Sequence, residues 1–512
     1  MEETGKVWLA GAGPGDAGLL TVKAKELLKK ADVIVYDALI SLEIFAQIPQ
    51  GKELIDVGKR AGCHTCSQSQ INELLLQKAK EGKWVLRLKG GDPFIFGRGG
   101  EELELLAKEG VPFEIVPGVT SASAAAAYAG IPVTHRDYVS SFHVITGHER
   151  KDGESRIQYE PLVKAGGTLV FLMGIAALEN ICNGLMDAGM DGRTPAAVIE
   201  QGTTSRQRKI IASVKTIAAR AGEEQIQAPA VIVVGQVCGL ERSFAWSEKR
   251  ILAGRQFLIT RPWEHQQSLV GRLRDMGAQV IEMPAIRVCS IRENSEFERV
   301  LREQMEEEKE KWMVFTSSIG VRIFFEKLGK SSLDIRDILG GQVKIAAIGC
   351  ATQRKLLEYG WRTDLVPEEY CAGALGRELA KKAVKGSSIR IFRARNGSEE
   401  LLPPLAGQGF SVEDIPLYDT EHQIYGEECK RIKEAFDRGE IDAVTFTSAS
   451  TVRGFVEAMG DLDYTGCRAV CIGRQTAKEA AKYGMEIQIS AQASIDSMVE
   501  LLVGCYGKRK NE

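Results

Sequence analysis

The chain has 512 residues and carries 66 Lys and Arg against 69 Asp and Glu, a net charge of −3. At roughly 150 residues per domain, that length predicts about three or four compact units. The near-neutral balance gives no support to a nucleic-acid-coating role. An apolar share of 44% is enough for full cores, and 53 glycines against 15 prolines predict many tight strand-to-helix turns rather than a disordered tail.

No apolar run reaches the roughly 20 residues a membrane helix needs. The start, Met1-Glu2-Glu3-Thr4-Gly5-Lys6, lacks the basic-then-apolar order of a signal peptide. A cytoplasmic protein with reduced thiols is expected, because the 11 cysteines are scattered and odd in number. Cys63 and Cys66 make a lone C-x-x-C around His64. With no second pair and no H-E-x-x-H pattern, a plain loop is expected there and no metal.

In chain order, Val7–Gly11 reads as a strand, Leu19–Lys30 as a helix and Val33–Tyr36 as a second strand. Trp84–Leu88, Phe113–Val116, Leu169–Met173, Ala197–Glu200 and Val231–Val234 follow as further strands. Strands alternating with helical patterns predict an α/β fold with largely parallel sheets. Around Glu241–Gly254 the rhythm stops in a charged, aperiodic stretch. The main boundary is placed there, between domains spanning 1–245 and 255–512.

The second half repeats itself. Phe257-Leu258-Ile259-Thr260-Arg261-Pro262 returns as Ile389-Arg390-Ile391-Phe392-Arg393-Ala394. Val314-Phe315-Thr316-Ser317-Ser318 returns as Thr445-Phe446-Thr447-Ser448-Ala449-Ser450, and Ala347-Ile348-Gly349-Cys350-Ala351-Thr352 as Cys471-Ile472-Gly473-Arg474-Gln475-Thr476. The offsets are 132, 131 and 124 residues. Two similar α/β lobes with a ligand in the cleft between them are expected. Each piece is strand, then Thr/Ser/Gly turn, then helix. Such turns leave backbone N–H groups free at a helix N-terminus, which suits anions, although Thr or Ser there also serves as a simple cap.

Three glycine loops mark the first half, all at C-terminal ends of strands, where ligands bind in open α/β sheets. Gly11-Ala12-Gly13-Pro14-Gly15-Asp16 fails as a dinucleotide fingerprint: the third glycine is replaced by Asp16, whose charge opposes a pyrophosphate, and Pro14 removes a donor. Asp37, ending the next strand, is the one feature that fits a ribose site. The second loop is Leu88-Lys89-Gly90-Gly91-Asp92-Pro93-Phe94-Ile95-Phe96-Gly97-Arg98-Gly99. The third is Val116-Pro117-Gly118-Val119-Thr120-Ser121-Ala122-Ser123, running into the small-residue helix Ala124–Ala129. Glycines here let backbone approach a ligand closely.

These loops, with Tyr36-Asp37-Ala38-Leu39, Gly58-Lys59-Arg60-Ala61-Gly62 and Gly130-Ile131-Pro132-Val133-Thr134-His135-Arg136-Asp137, resemble uroporphyrinogen-III C-methyltransferase over about residues 5–245. Gly58–Arg60 and Gln70-Ile71-Asn72 separate this pattern from other tetrapyrrole and diphthine methylases. Over about residues 255–508 the chain resembles uroporphyrinogen-III synthase, through Thr316-Ser317-Ser318, Pro416-Leu417-Tyr418, Thr447-Ser448 and Ile472-Gly473 in order. The resemblance implies a two-lobed tetrapyrrole-methylase fold followed by a two-lobed α/β synthase.

The function the resemblance implies is bifunctional. The synthase half would close linear hydroxymethylbilane with inversion of its last ring. The methylase half would move two methyl groups from S-adenosylmethionine to pyrrole carbons of uroporphyrinogen III, giving precorrin-2. Alignment of methyl and carbon supplies several kcal/mol of such a barrier. A base must also take up a proton, a role the resemblance gives to Asp37, with Lys59 as proton donor. By the same match Pro14, Gly90, Gly91, Asp92, Ile95, Thr120, Ser121, Met173 and Gly202 would line the donor site. Lys89, Arg98 and Arg136 are candidates for the substrate's carboxylate arms.

In the synthase half no Ser-His-Asp or Cys-His set is visible. The expected work is anchoring of carboxylates at the turns, by Thr316, Ser317, Thr352, Thr447, Ser448 and Thr476, and shielding of a developing cation from water. Tyr418 matches the family's cleft tyrosine and would assist loss of hydroxyl; the plain alternative is a core tyrosine. Arg261, Arg393 and Arg395 are candidate clamps. The family also implies a homodimer through the methylase half, no nucleic acid or membrane partner, and a sirohaem or cobalamin route. No Rossmann unit is left for the dehydrogenase and chelatase steps of sirohaem, so another protein is expected to supply them. The competing readings are a methylase of a different corrin precursor, a two-lobed tetrapyrrole-binding module without turnover, and an oxidoreductase.

Overall fold

The computed structural model describes residues 5–58, 66–147, 157–262, 267–292, 295–339 and 343–508. Four five-stranded sheets organise the chain. The first contains β1 (Lys6–Gly11), β2 (Val33–Tyr36), β3 (Glu53–Asp56), β4 (Trp84–Lys89) and β5 (Phe113–Val116) in the order β3-β2-β4-β1-β5, all parallel. Its central strands are continuous apolar runs because both faces are covered. Trp8, Ile34, Tyr36 and Leu88 belong to one buried cluster, and Val7, Leu9, Val33 and Val85 to another. The helix predicted from Leu19 begins at Val22. The Thr21 hydroxyl caps it, and a separate turn, Ala17–Leu19, is capped by Asp16.

The second sheet contains β6 (Phe142–Thr146), β7 (Thr168–Leu172), β8 (Pro195–Glu200), β9 (Arg208–Ser213) and β10 (Ala230–Val234), in the order β6-β7-β10-β8-β9. The expectation of largely parallel sheets fails here. Only β6 and β7 run parallel; β7/β10, β10/β8 and β8/β9 are antiparallel. The cause is loop length, since residues 201–207 join β8 to β9 directly and are too few for a helical crossover. Met173 also lies outside its predicted strand, at φ 55.

The third sheet contains β11 (Gln256–Ile259) and β12 (Gln279–Glu282). The fourth contains β13 (Ile286–Ser290), β14 (Lys311–Phe315), β15 (Val343–Ala347), β16 (Ser388–Ala394) and β17 (Ser411–His422). The chain then returns to the third with β18 (Ala443–Phe446), β19 (Arg468–Cys471) and β20 (Glu486–Ile489). The orders are β12-β11-β18-β19-β20 and β13-β17-β16-β14-β15, parallel except for the β13/β17 ladder. Two similar lobes are present, but they are not the tandem copies read from the repeat. The first copy's opening strand, β11, pairs with the second copy's β18. The first copy's β14 and β15 join the second copy's β16. One lobe is therefore inserted within the other.

The stretch 241–254 is folded rather than loose. Glu241–Phe244 form one helical turn, the Trp246 indole donates to the Ala127 carbonyl, and the Ser247 hydroxyl donates to the Tyr128 carbonyl. The halves also meet directly. Ala46 of the first half is a member of the buried cluster holding Leu258, Ile281 and Phe446, and buried Glu43 pairs with Arg274 at 2.8 Å.

In the inserted lobe, Glu310 ties three segments together. It accepts from the Trp312 indole at 2.9 Å and from the Val384 N–H and Ser387 hydroxyl at 3.0 Å, and it pairs with Lys344. Burial alone would raise its pKa, but these partners outweigh burial and hold it at about 2 against an ordinary 4.5. A carboxyl depressed on folding stabilises fully above its unfolded value and loses that contribution as pH falls through the folded value. The urea midpoint of this lobe is therefore expected to drop as pH goes from 5 toward 2 by more in the wild type than in Glu310→Gln. Equal slopes would show that the partners do not act on Glu310.

Candidate active sites

In the first sheet β1 lies between β4 and β5, so their three glycine loops emerge side by side. The Ala12 N–H donates to the Lys89 carbonyl at 2.7 Å and the Gly91 N–H to the Gly13 carbonyl at 2.8 Å. A Cβ on Gly118 would stand 2.2 Å from the Gly91 carbonyl oxygen, and one on Gly11 2.4 Å from the same atom. Only glycine fits at this crossing. Asp92 binds the second loop to the third by accepting from the Phe94 N–H at 2.8 Å and the Gly118 N–H at 3.0 Å. Both its oxygens are thus already engaged in loop structure.

A cavity of about 1030 Å³ adjoins these loops. Pro14, Gly90, Gly91, Asp92, Ile95, Thr120, Ser121, Met173 and Gly202 all line it, together with Asp37, Lys89 and Arg98. Arg136 does not; it is exposed on the segment after Ile131. Lys59 lies outside the described residues, as do Cys63 and His64. Leu39, Ile95, Phe96 and Met173 give the cavity an exposed apolar wall. Of the six described non-glycine residues with positive φ, four line it: Phe96, Arg98, Met173 and Gln201. Such backbone costs roughly 1–3 kcal/mol per residue and concentrates where ligands are held.

Asp37 sits at the end of β2 with one carboxylate oxygen 2.6 Å from the Arg87 guanidinium and the other 3.9 Å from the Lys89 ammonium. Arg87 also pairs with Glu102 at 3.1 Å, and Lys89 with Glu102 at 2.7 Å. Burial, joined by the Arg87 charge, pushes Lys89 below its usual range. Burial would raise Glu102, but Arg87 and Lys89 outweigh it and hold the carboxyl below its ordinary value. Lys89, expected to meet substrate carboxylates, is instead buried and committed to this network. Sequence reasoning missed Arg87 and Glu102. Their signal was present: Glu102 occupies the buried stripe Gly99, Glu102, Leu103, Leu106 of its helix, and Arg87 interrupts a buried apolar strand.

In the synthase half, the turns after β14 and β15 lie side by side, as do those after β18 and β19. Thr316, Ser317, Thr447 and Ser448 are half-buried there, whereas Thr352 and Thr476 are buried. Ser317 accepts from the Gly320 N–H and Ser448 from the Thr451 N–H, so both hydroxyls cap the following helices. Tyr418, on β17, is buried, and its hydroxyl is 2.9 Å from that of Ser317. Burial raises its phenol above the ordinary value against the opposing Ser317 contact, which keeps it protonated. Gln475, beside Thr476, reaches Glu400 of the inserted lobe at 3.4 Å. Arg393 is not a free clamp: it is buried, and Asp414 and the Ser398 carbonyl occupy it. Arg395 pairs with Asp419 at 2.9 Å, and Arg261 is half-buried at the end of β11.

Known proteins match the two halves separately. The family model of tetrapyrrole (corrin/porphyrin) methylases matches residues 6–218, and that of uroporphyrinogen-III synthase HemD matches 267–500. The chain is a two-enzyme fusion of tetrapyrrole biosynthesis, a methyltransferase followed by a uroporphyrinogen-III synthase. A relative from Ruminiclostridium josui, porphyrin biosynthesis protein HemD, is 43% identical over 505 residues, 99% of each chain. The chain belongs to that family of porphyrin biosynthesis proteins.

The siroheme synthase of Stutzerimonas stutzeri is 50% identical over 251 residues, 49% of this chain, and the chain spans about half of that relative, 54%. Among solved structures, uroporphyrin-III C-methyl transferase from Thermus thermophilus, complexed with S-adenyl homocysteine, is 39% identical over 46% of this chain and 93% of its own, at a TM-score of 0.40. A mutant uroporphyrinogen III synthase from Thermus thermophilus is 20% identical over 48% of this chain and 96% of its own, at a TM-score of 0.37. Among the described residues no helix is long and apolar enough to cross a membrane.

Proposed function

We propose that the synthase half closes hydroxymethylbilane to uroporphyrinogen III with inversion of the last ring. The methylase half then transfers two methyl groups to it from S-adenosylmethionine, giving precorrin-2 for a sirohaem or cobalamin route. One observation carries the methylase reading. All nine residues expected at the donor site, together with Asp37, adjoin a single cavity of about 1030 Å³ at the crossing of three glycine loops. The residues fit such a donor: glycine backbone admits its amino-acid end, and Ile95 and Met173 offer soft apolar surface to its base.

Bound there, the donor supplies an activated methyl on sulfur. The methyl–sulfur bond breaks with its electron pair going to sulfur, the methyl–carbon bond forms, and Asp37 takes up the proton released. Arg98, on the rim, meets a carboxylate arm of the substrate; Arg136, outside the cavity, would do so only from the protein surface. Lys59 as proton donor, division into domains at 1–245 and 255–512, assembly as a homodimer through the methylase half and a cytoplasmic setting belong to the same reading and rest on the resemblance.

In the synthase half the backbone N–H groups at the four turns anchor carboxylates, helped by the hydroxyls of Thr316, Ser317, Thr447 and Ser448. Thr352 and Thr476, being buried, shape their turns. Tyr418, kept protonated by burial, donates to the departing hydroxyl. Tyr418→Phe is expected to slow ring closure by about tenfold, roughly 1.4 kcal/mol of barrier, and to leak the uninverted isomer. An unchanged rate and isomer ratio would make Tyr418 a core residue only.

The whole reading is tested by supplying the pure chain with hydroxymethylbilane and S-adenosylmethionine and following the product by mass and absorbance. A doubly methylated cyclic product is expected. Binding of the bilane without closure, or methylation of a different tetrapyrrole only, would overturn the corresponding half.

A further inference from the structure

The wall of the methylase cavity that carries Asp37 is held by the other half of the chain. The segment 37–46 leaves β2, lines the cavity through Asp37, Ala38, Leu39, Ile40, Ser41 and Leu42, and ends in the short helix Leu42–Phe45. On its inner side the Ser41 hydroxyl donates to the Gly15 carbonyl of the first glycine loop at 2.6 Å. On its outer side it is anchored to the synthase half. Buried Glu43 pairs with Arg274, which is itself held by Glu282 at 3.0 Å, and Ala46 enters the core of the outer lobe.

A further anchor is Arg431, on the helix Glu427–Asp437. Its guanidinium donates to the Ile40 carbonyl at 2.6 Å. The same group lies 4.4 Å from the Phe45 ring centre and 5.9 Å from that of Tyr36, and it too lines the cavity. Tyr36 immediately precedes Asp37, and the Ile40 N–H closes a turn onto the Asp37 carbonyl. One cation therefore grips both ends of the short arc from Tyr36 to Ile40, whose second member is the proposed base. A guanidinium suits this task because its planar fork donates along its edge while its face packs on aromatic rings.

We propose that Arg431, a residue of the synthase half, is a positioning residue of the methyltransferase: it fixes the arc 36–40 and with it the aim of the Asp37 carboxylate. The inference rests on the functional reading above. It makes methyl transfer dependent on a contact that a free-standing methylase would have to supply in another way.

The test uses the full chain with S-adenosylmethionine and uroporphyrinogen III. Arg431→Ala is expected to lower kcat for methylation by about 10–100-fold, the scale of a misaimed reacting group. KM for the tetrapyrrole, donor affinity and the ring-closure rate should stay within about twofold. Arg431→Lys, which keeps a cation and a donor for the Ile40 carbonyl, should recover part of kcat. Unchanged kcat in Arg431→Ala overturns the proposal. So does a rise in KM alone, which would make Arg431 a substrate contact. So does a parallel fall in ring closure in both variants, which would mean that the helix merely supports its own lobe. If Arg431→Ala does not fold, Arg431→Gln, closer in volume, carries the same comparison. A wild-type chain that fails to methylate uroporphyrinogen III removes the functional reading; a methylating wild type with an indifferent Arg431 removes only this inference.

Discussion

Asp37→Asn is expected to slow methyl transfer by about 10²–10⁴, the range for a lost general base. Donor affinity should barely change. The amide keeps the shape of the carboxylate and still offers an oxygen to the Arg87 guanidinium, which holds Asp37 at 2.6 Å, so the glycine-loop crossing is not disturbed. Ring closure should be untouched, because the synthase turns belong to other sheets than the strand that carries Asp37. Calorimetric titration of the donor beside single-turnover methylation separates the outcomes. If donor affinity falls steeply while turnover of bound substrate persists, Asp37 is a ligand of the donor rather than the base.

Arg87→Met should destabilise the first lobe by about 3–5 kcal/mol, the cost of removing one member of a buried ion-pair network. Arg87 and Glu102 are each 1% exposed. The substitution leaves Glu102 with Lys89 as its one cation, beside the Gln68 amide, and Asp37 with only a distant cation. Urea unfolding at pH 7 measures the loss. The Glu102 carboxyl is depressed on folding from an ordinary 4.5, so its contribution is present above that value and lost as pH falls further. The gap between wild type and Arg87→Met should accordingly narrow in acid. Adding Glu102→Leu should not recover the stability, because Lys89, paired with Glu102 at 2.7 Å, would then be left as a buried cation with only Asp37 at 3.9 Å. A loss below about 1 kcal/mol would mean that the network is wetter than its geometry indicates.

What was legible in the sequence was what glycine and strand–turn–helix spacing encode locally. The three glycine loops and the central strands β1, β2 and β4 stand out because both faces of those strands are apolar or because only a missing Cβ allows the chains to cross. In the first half the strands β3, β6 and β9 were missed. All three are edge strands of their sheets, half-exposed, with no apolar run to mark them. The direction of the strands in the second sheet followed from connection lengths that were not weighed. Among side chains, Asp37 and Met173 were singled out through motif position, and both line the cavity. Arg87, Glu102 and Arg431 escaped because each acts through a partner 15 to 391 residues away. The two lobes of the synthase half were foreseen from the repeat, but not the exchange of their strands, because similarity between segments says nothing about which copies pair.

That exchange bears on how the chain is born. β11 and β12 leave the ribosome together, but their next neighbour, β18, follows only after the whole inserted lobe, about 160 residues later. At roughly 5–20 residues per second, β11 waits about 8–30 s with one edge unpaired. During that interval the inserted lobe, whose strands β13 to β17 are contiguous in sequence, is able to fold first. The β13/β17 ladder then brings the two crossing points together, with the Gln423 N–H on the Ala285 carbonyl. This delivers β18 near the open edge of β11, so that the lobe that starts first is the one that finishes last.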